Sequence, residues 1–115
     1  MYHVTFPPQS NRASWVFIGM VTDLDDNPID LSMCKMVFVV RDRNGRLLEA
    51  STDNGKLTIV DMGTFRWFFT LDDMQGLCFG QCDTGLTLWN DDRTQTVQLS
   101  VGPLNIVDGV VPNTP

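Results

Sequence analysis

Short apolar runs separated by turn-forming residues follow one another along the chain. Residues 15–22 form the first run, and apolar side chains occupy both of its alternating faces, which predicts a central strand covered on both sides. Residues 64–70 alternate more clearly, with Phe65, Trp67 and Phe69 on one face. Because successive side chains of a strand point to opposite faces, both runs predict β-structure around an aromatic core.

The last third of the chain also has the pattern of strands. Residues 79–90 predict one or two of them. Residues 94–101 alternate most regularly and predict a strand with three inward side chains, those of Val97, Leu99 and Val101. Gly102-Pro103 is expected to interrupt this strand, because proline has no N–H for a sheet hydrogen bond. Residues 104–107 would then form a last short strand.

Turn signals between the runs are strong. Thirteen of the fourteen acidic residues are Asp, which favours turns over helix interiors. Asn44-Gly45 predicts a tight hairpin. Thr70 is a candidate N-cap for one helical turn, with Asp72 and Asp73 at the positive, N-terminal end of that turn. The pattern as a whole predicts an all-β, Ig-like antiparallel β-sandwich of 7–8 strands with at most one short helical turn.

A chain of 115 residues is expected to form one domain. Residues 1–13 are polar and contain Pro7-Pro8, which predicts an extended arm or a loosely held first strand. Residues 14–111 form the predicted sandwich, and residues 112–115 form a C-terminal tail.

Charge and cysteine content narrow the functional classes. The net charge is −6, and the eight basic residues are scattered along the chain, so nucleic acids and anionic membranes are disfavoured as partners. No apolar run is long enough to span a bilayer, and the first residues do not resemble a signal peptide. Cys34, Cys78 and Cys82 are an odd number of cysteines and are expected to be reduced, as in a protein made in a cytoplasm.

Residues suited to catalysis or metal binding are few, and neither an enzyme nor a cofactor is predicted. The single histidine, His3, lies in the arm, where nothing in the sequence pairs it with a nucleophile. Four carboxylates in one loop are the weak candidates for a Ca²⁺ site, namely Asp23, Asp25, Asp26 and Asp30. Their spacing does not follow the EF-hand, and a solvated turn is the favoured interpretation.

Trp89 is the best candidate for an exposed aromatic residue, because it is out of phase with the leucines beside it. An exposed tryptophan suits a protein interface or a glycan surface.

Three stretches resemble small tail-associated domains of phages and prophages. WVFIGMVTDLDDNPIDLSMCKMVFVVRDRNG is similar to their opening apolar strand, Asp-containing turn and strand that ends in R-x-x-x-G. LDDMQGLCFGQCD occupies the place of a T-x-x-L-x-x-G-x-Y-x-x-D segment, and VQLSVGPLNIVDGVV is similar to the closing L-x-x-G-x-x-x-V-x-x-G-V-T. The resemblance covers residues 14–111. The chain departs from it at Asp26-Asn27, where the family usually has Gly, and at Cys82, where it usually has Tyr.

Members of this family are Ig-like sandwiches, exemplified by the N-terminal domain of upper-baseplate proteins of lactococcal phages, which dock a receptor-binding fibre or a similar appendage onto the virion. The resemblance implies a non-enzymatic structural component of a phage or prophage tail or baseplate, made in the host cytoplasm and located in the virion. It brings no catalytic residues. A homo-oligomer and other tail proteins are the expected partners.

Two segments are natural candidates for strand exchange or edge pairing with a neighbour. They are the arm, with Pro7 and Pro8, and the C-terminal end, with Val110 and Val111. A carbohydrate-binding module for host recognition is the main alternative function, and a chaperone or regulatory binding domain is another.

Overall fold

Two β-sheets and one short helix make up the computed structural model, which describes residues 2–22, 25–90 and 96–107. The larger sheet contains β1 (Tyr2–His3), β2 (Gln9–Ser10), β4 (Cys34–Arg41), β5 (Leu47–Ser51), β8 (Gly80–Asn90) and β9 (Thr96–Val107). The smaller sheet contains β3 (Trp15–Met20), β6 (Leu57–Asp61) and β7 (Thr64–Phe69), and helix α1 spans Leu71–Gln75. The predicted all-β sandwich with one helical turn is therefore confirmed.

Strand order explains how the two layers are joined. The larger sheet runs β1-β9-β8-β4-β5, with β2 also on β9, and the smaller sheet runs β3-β7-β6. The described strand pairs formed among strands β3 to β9 are antiparallel, as predicted. Strands β1 and β2, in contrast, each pair with β9 in parallel. Strands β6 and β7 lie over β4 and β5, so the small sheet covers the β5 side of the large sheet.

The core is aromatic, as the alternation in β7 predicted. Phe65, Trp67 and Phe69 are buried between the sheets, and Phe68 between them is exposed. The ring of Trp67 stacks on Phe38 of β4, with centroids 3.8 Å apart and planes 7° from parallel. Such aromatic pairs contribute beyond the area that they bury, so this stack is a central contact between the two sheets.

The predicted helical turn is present and capped as expected. The Thr70 hydroxyl accepts a hydrogen bond from the N–H of Asp73, and the Asp73 carboxylate accepts one from the N–H of Thr70. This reciprocal arrangement is a capping box. Asp73 also forms an ion pair with Lys56, which follows the turn before β6.

Strand β3 differs from the prediction of a central strand. It pairs with β7 only, and it is an edge strand of the small sheet among the described residues. Its inward face carries Trp15 and Phe17, but Val16, Ile18 and Met20 on the other face are exposed to 45%, 61% and 59%. An apolar pattern on both faces cannot distinguish a strand covered by the protein itself from one that leaves an apolar face open.

Strand β9 is continuous through Gly102-Pro103, and the predicted interruption is wrong. Val101 directs its carbonyl to the arm, where it accepts a hydrogen bond from the N–H of Val4. By strand alternation, position 103 faces the same side. A proline there removes no hydrogen bond to β8, and this explains why the strand tolerates it.

The inward set predicted for β9 is correct for Leu99 but wrong for Val97. A bulge shifts the register where Leu86 pairs with Ser100 and the next residue pairs with Gln98. Leu99 packs against the core, but Val97 is 51% exposed and Ser100 is buried. A bulge changes which side chains face the core, and the sequence pattern does not reveal it.

The N-terminal arm, for which an extended arm or a loosely held first strand was predicted, is held against its own sandwich. Strands β1 and β2 pair with β9 at Ser100–Val101 and Ile106–Val107. Between them, the Phe6 side chain is 6% exposed and lies in the core. Pro7 and Pro8 are exposed.

Gly102 allows the arm to approach β9 closely. A Cβ atom built on Gly102 would overlap the carbonyl oxygen of Val4. We expect Gly102→Ala to displace the arm and to lower the free energy of unfolding by about 1–2 kcal/mol. Urea denaturation measures this loss. Gly85→Ala on β8 is the control, because a Cβ atom there would meet only the end of the Gln98 side chain, at 3.3 Å.

Candidate interaction surface

The outer face of the small sheet is unusually apolar. Six large apolar side chains on β3, β6, β7 and the β6–β7 turn are more than a third exposed: Val16, Ile18, Met20, Val60, Met62 and Phe68. Val16 lies directly across from Phe68 in the β3–β7 register. Scattered exposed apolar residues are ordinary, but a contiguous group on one face indicates an interaction surface. We call this group the outer apolar face.

One basic side chain lies at the centre of the outer apolar face. Arg66 is opposite Ile18 on one side and Thr58 on the other. Its guanidinium carbon lies 5.8 Å from the centroid of the Phe68 ring, which is within the range of a cation–π contact. The centre of this face therefore carries positive charge on a protein whose net charge is −6.

The backbone of β3 is open along the edge away from β7. Phe68 donates its N–H to Lys56 on the β6 side, so Phe65, Trp67 and Phe69 direct their backbone groups to β3. The β3 residues opposite them face β7. The N–H and C=O groups of Val16, Ile18 and Met20 consequently point to the open edge, by the alternation of an antiparallel pair.

A cavity of about 420 Å³ lies between the two sheets, against the inward side of β3 at Phe17 and Gly19. Gly19, Met20 and Val21 line it from the small sheet, and Leu99 and Ser100 line it from β9. Val4 and Phe6 of the arm also contribute. Its walls are mostly apolar, so the cavity suits apolar side chains better than a polar ligand.

A second, shallower groove of about 680 Å³ crosses the outer face of the large sheet around Gly85. Its polar wall includes Gln81, Gln98 and the exposed ion pair between Arg41 and Asp83, at 3.1 Å. None of the described residues that line it is aromatic. It therefore lacks the ring on which a sugar would stack.

Three of the four carboxylates of the Asp-rich turn lie in described residues. Asp25, Asp26 and Asp30 are exposed, and Asp23 lies outside the described residues. Asp30 accepts a hydrogen bond from the N–H of Ser32 at 2.9 Å, and this bond holds the pKa of its carboxyl below the ordinary value. Within residues 2–22, 25–90 and 96–107, no group of three His, Cys, Asp or Glu side chains could hold a metal ion.

The tryptophans do not offer an exposed platform. Trp15 and Trp67 are buried, with 5% and 1% exposure. Trp89, the predicted exposed aromatic residue, is half-buried, and its indole nitrogen is buried. Phe79 is instead the more exposed ring, at 55%, with the Arg43 guanidinium 5.6 Å from its centroid. The sequence pattern gave no reason to choose it.

The three cysteines are free thiols, as predicted. Cys82 is buried, and burial, together with the nearby charges of Asp42 and Asp83 and the neighbouring Cys78, raises the pKa of its thiol to about 11. A thiol with this pKa is protonated near neutral pH and is a weak nucleophile. Cys82 is therefore a small core residue.

Of the predicted interface residues, Pro7 and Pro8 are exposed, but they lie on the arm and are not part of the outer apolar face. Val110 and Val111 lie outside the described residues. The sequence therefore did not identify the outer apolar face, although the two-sided apolar pattern of residues 15–22 was its signal.

Among the described residues, the single helix, α1, is too short to cross a membrane.

Comparison with known proteins adds no assignment. No protein-family model matches the chain, and no curated protein sequence matches it.

Proposed function

We propose that this protein is a non-enzymatic structural domain of a phage or prophage tail, near the baseplate, which assembles with further copies of itself and with other tail proteins. The outer apolar face is the observation that carries this proposal, because it offers a broad protein-binding surface. The resemblance of residues 14–111 to tail-associated domains supports the setting in a virion.

A second copy of this chain is the occupant that we assign to the outer apolar face. The chain has fourteen acidic and eight basic residues, so whole copies repel each other at low salt. A self-associating surface must therefore be one whose centre is not acidic. The outer apolar face meets this requirement, because Ile18 and Phe68 surround Arg66 at its centre. Closed symmetric assembly requires only such a recurring patch.

We expect Ile18→Lys to weaken self-association at least about tenfold, because it places a charge in the apolar contact. Light scattering coupled to size-exclusion chromatography, over roughly a hundredfold range of concentration, measures the mass of the assembly. Leu47→Lys is the matched control. Leu47 is also on a strand and is 62% exposed, against 61% for Ile18, but it lies on the large sheet.

Two results would contradict the proposal. One is a wild-type protein that remains monomeric over the whole concentration range. The other is an equal loss of mass in the Ile18 and Leu47 variants, which would mean that the contact does not depend on the outer apolar face. Both variants must keep the melting temperature of the wild type for the comparison to hold.

A further inference from the structure

Strand β3 is the least protected sheet edge among the described residues. Natural proteins protect edge strands with charges, prolines, bulges or very short strands. The edge strand β5 carries Glu49, and β6 carries Asp61 and a bulge before it. Strands β1 and β2 have two residues each. Strand β3 has six residues, WVFIGM, with no charge and no proline, and it pairs with β7 without a bulge.

The two sheets leave room for one more strand beside β3. The small sheet has three described strands, of which β6 and β7 contact β4 and β5, and β3 ends the small sheet on the opposite side from β6. The cavity of about 420 Å³ lies at this end, against the inward side of β3. Leu86 and Leu99 of the large sheet line one side of it, and Gly19 of β3 lines another. A strand added to β3 would direct alternate side chains into this cavity.

We infer that the β3 edge binds one extended, uncharged peptide segment of another protein by strand addition. This inference rests on the proposed function, since it names how a further tail protein would attach. Val16, Ile18 and Met20 offer N–H and C=O groups along the edge, and these are the groups that a strand pairs with. Apolar residues at alternating positions of the segment would enter the cavity.

The geometry favours an isolated segment over the edge of a second folded copy. Val4 and Phe6 of the arm and Leu99 and Ser100 of β9 line the same cavity as Gly19 of β3. A second folded copy would bring its own β9 and arm together with its β3, and we expect these elements of the two copies to collide before the two β3 strands come within the roughly 4.8 Å that sheet hydrogen bonds require. A single strand without a second sheet behind it avoids this collision. Two copies would instead meet through the outer apolar face.

The neutral lining also restricts the chemistry of the segment. Neither the side chains of β3 nor the residues that line the cavity carry a charge. A charged side chain directed into the cavity would lose its hydration without a partner. The segment should therefore be uncharged over about six residues, the length of β3, and rich in β-branched residues that favour strands.

The test uses the full chain and a defined probe, the synthetic peptide KVTVSVTVTK, which alternates apolar and hydroxyl side chains between two solubilising lysines. Amide hydrogen exchange is followed residue by residue by NMR. We expect a saturating amount of the peptide to slow exchange at Val16, Ile18 and Met20 by about tenfold or more. A control peptide with proline in place of every threonine should give no protection.

Two substitutions at one position separate edge pairing from apolar contact. Ile18→Pro removes an N–H that faces the open edge rather than β7, so the fold should tolerate it and peptide binding should be lost. Ile18→Thr keeps that N–H and removes only apolar surface, so it should bind the peptide. If Ile18→Pro does not fold, Val16→Pro takes its place, because the N–H of Val16 also points to the open edge.

Three outcomes would overturn the inference. The peptide leaves the β3 amides unprotected, it binds the Ile18→Pro variant as well as the wild type, or protection occurs at Leu47–Ser51 instead. Concentration-dependent protection of β3 without peptide that persists in Ile18→Lys, where the outer apolar face is disrupted, would assign the edge to a second copy and would also overturn it. Loss of self-association in Ile18→Thr with retained peptide binding would support both proposals, whereas unchanged self-association would contradict only the assembly surface.

Discussion

Replacement of Phe6 by alanine should lower the free energy of unfolding by about 3–5 kcal/mol, which is typical of a large aromatic side chain removed from a core. The Phe6 side chain is 6% exposed. Its ring lies 5.4 to 5.9 Å, centroid to centroid, from the rings of Trp15, Phe17, Phe38 and Trp67, all in edge-to-face orientation. The Phe6 ring of the arm therefore contacts aromatic rings of both sheets and helps to hold the two sheets together.

Urea denaturation of Phe6→Ala measures this loss, and Thr5→Ala is the control, because Thr5 is exposed on the same arm. A loss below about 1 kcal/mol in Phe6→Ala, the range of ordinary surface changes, would mean that the arm does not contribute to the core. Since domains of this kind have a total stability of roughly 5–15 kcal/mol, deletion of residues 1–12 should leave little folded protein. We therefore expect removal of the arm to report on the stability of the fold rather than on assembly.

The sequence predicted the parts of the fold that depend on neighbouring residues. The alternation of residues 64–70 places three aromatic rings on one face whatever the partner strand is. The N-cap Thr70, whose hydroxyl accepts a hydrogen bond from the N–H of Asp73, also acts within one turn. These features are decided locally, so the pattern along the chain was sufficient to find them.

The features that the sequence did not reveal depend on distant contacts. Phe6 is a single aromatic residue before two prolines, and nothing nearby shows that it enters the core. Gly102 resembles a strand breaker, but its place in the structure is a close approach to Val4. The bulge between β8 and β9 changes which residues of β9 face the core. Each of these is a matter of which strand lies beside which.

The candidate site was partly visible in the sequence. The two-sided apolar pattern of residues 15–22 marked β3 as unusual, and the prediction assigned its second face to the interior of the protein. In the structure, that face and the open backbone edge both belong to β3. A pattern of this kind records that both faces are apolar, and it does not record whether the second cover comes from the same chain or from a partner.

Asp42 connects two distant parts of the chain, and its loss should be the second large effect. It is 5% exposed. One carboxylate oxygen accepts hydrogen bonds from the N–H groups of Asn44 and Arg46, both at 2.9 Å, within the β4–β5 turn. The other accepts one from the N–H of Cys78, at 3.1 Å, in the segment between α1 and β8.

These hydrogen bonds also set the acidity of Asp42. Burial raises the pKa of its carboxyl, but the N–H groups of Cys78, Arg46 and Asn44 and the charge of Arg46 outweigh burial and hold the pKa below its ordinary value. The ionised form is therefore favoured by folding. Its contribution is complete above the unfolded pKa of about 4 and is lost as the pH falls through the lower, folded pKa.

We expect Asp42→Ala to lower the free energy of unfolding by about 2–4 kcal/mol near neutral pH, because three backbone donors lose their acceptor. Asp42→Asn keeps one acceptor oxygen for the turn, so its loss should be smaller, and it removes the part of the acid sensitivity that belongs to Asp42. Asp83→Asn is the control. It removes an exposed ion pair with Arg41, which contributes at most about 1 kcal/mol.

Urea denaturation at about pH 6 and about pH 3 distinguishes these effects. The wild type should lose stability between the two pH values, and Asp42→Asn should lose less, so that the two proteins become more alike in acid. Asp73 also has a lowered pKa, because its bonds to Lys56 and Thr70 outweigh the effect of burial, so some acid sensitivity should remain in the variant. Equal pH dependence in the wild type and Asp42→Asn would show that the carboxylate does not stabilise this junction as an anion. A loss in Asp42→Ala no greater than in Asp83→Asn would show that the three hydrogen bonds contribute little to the fold.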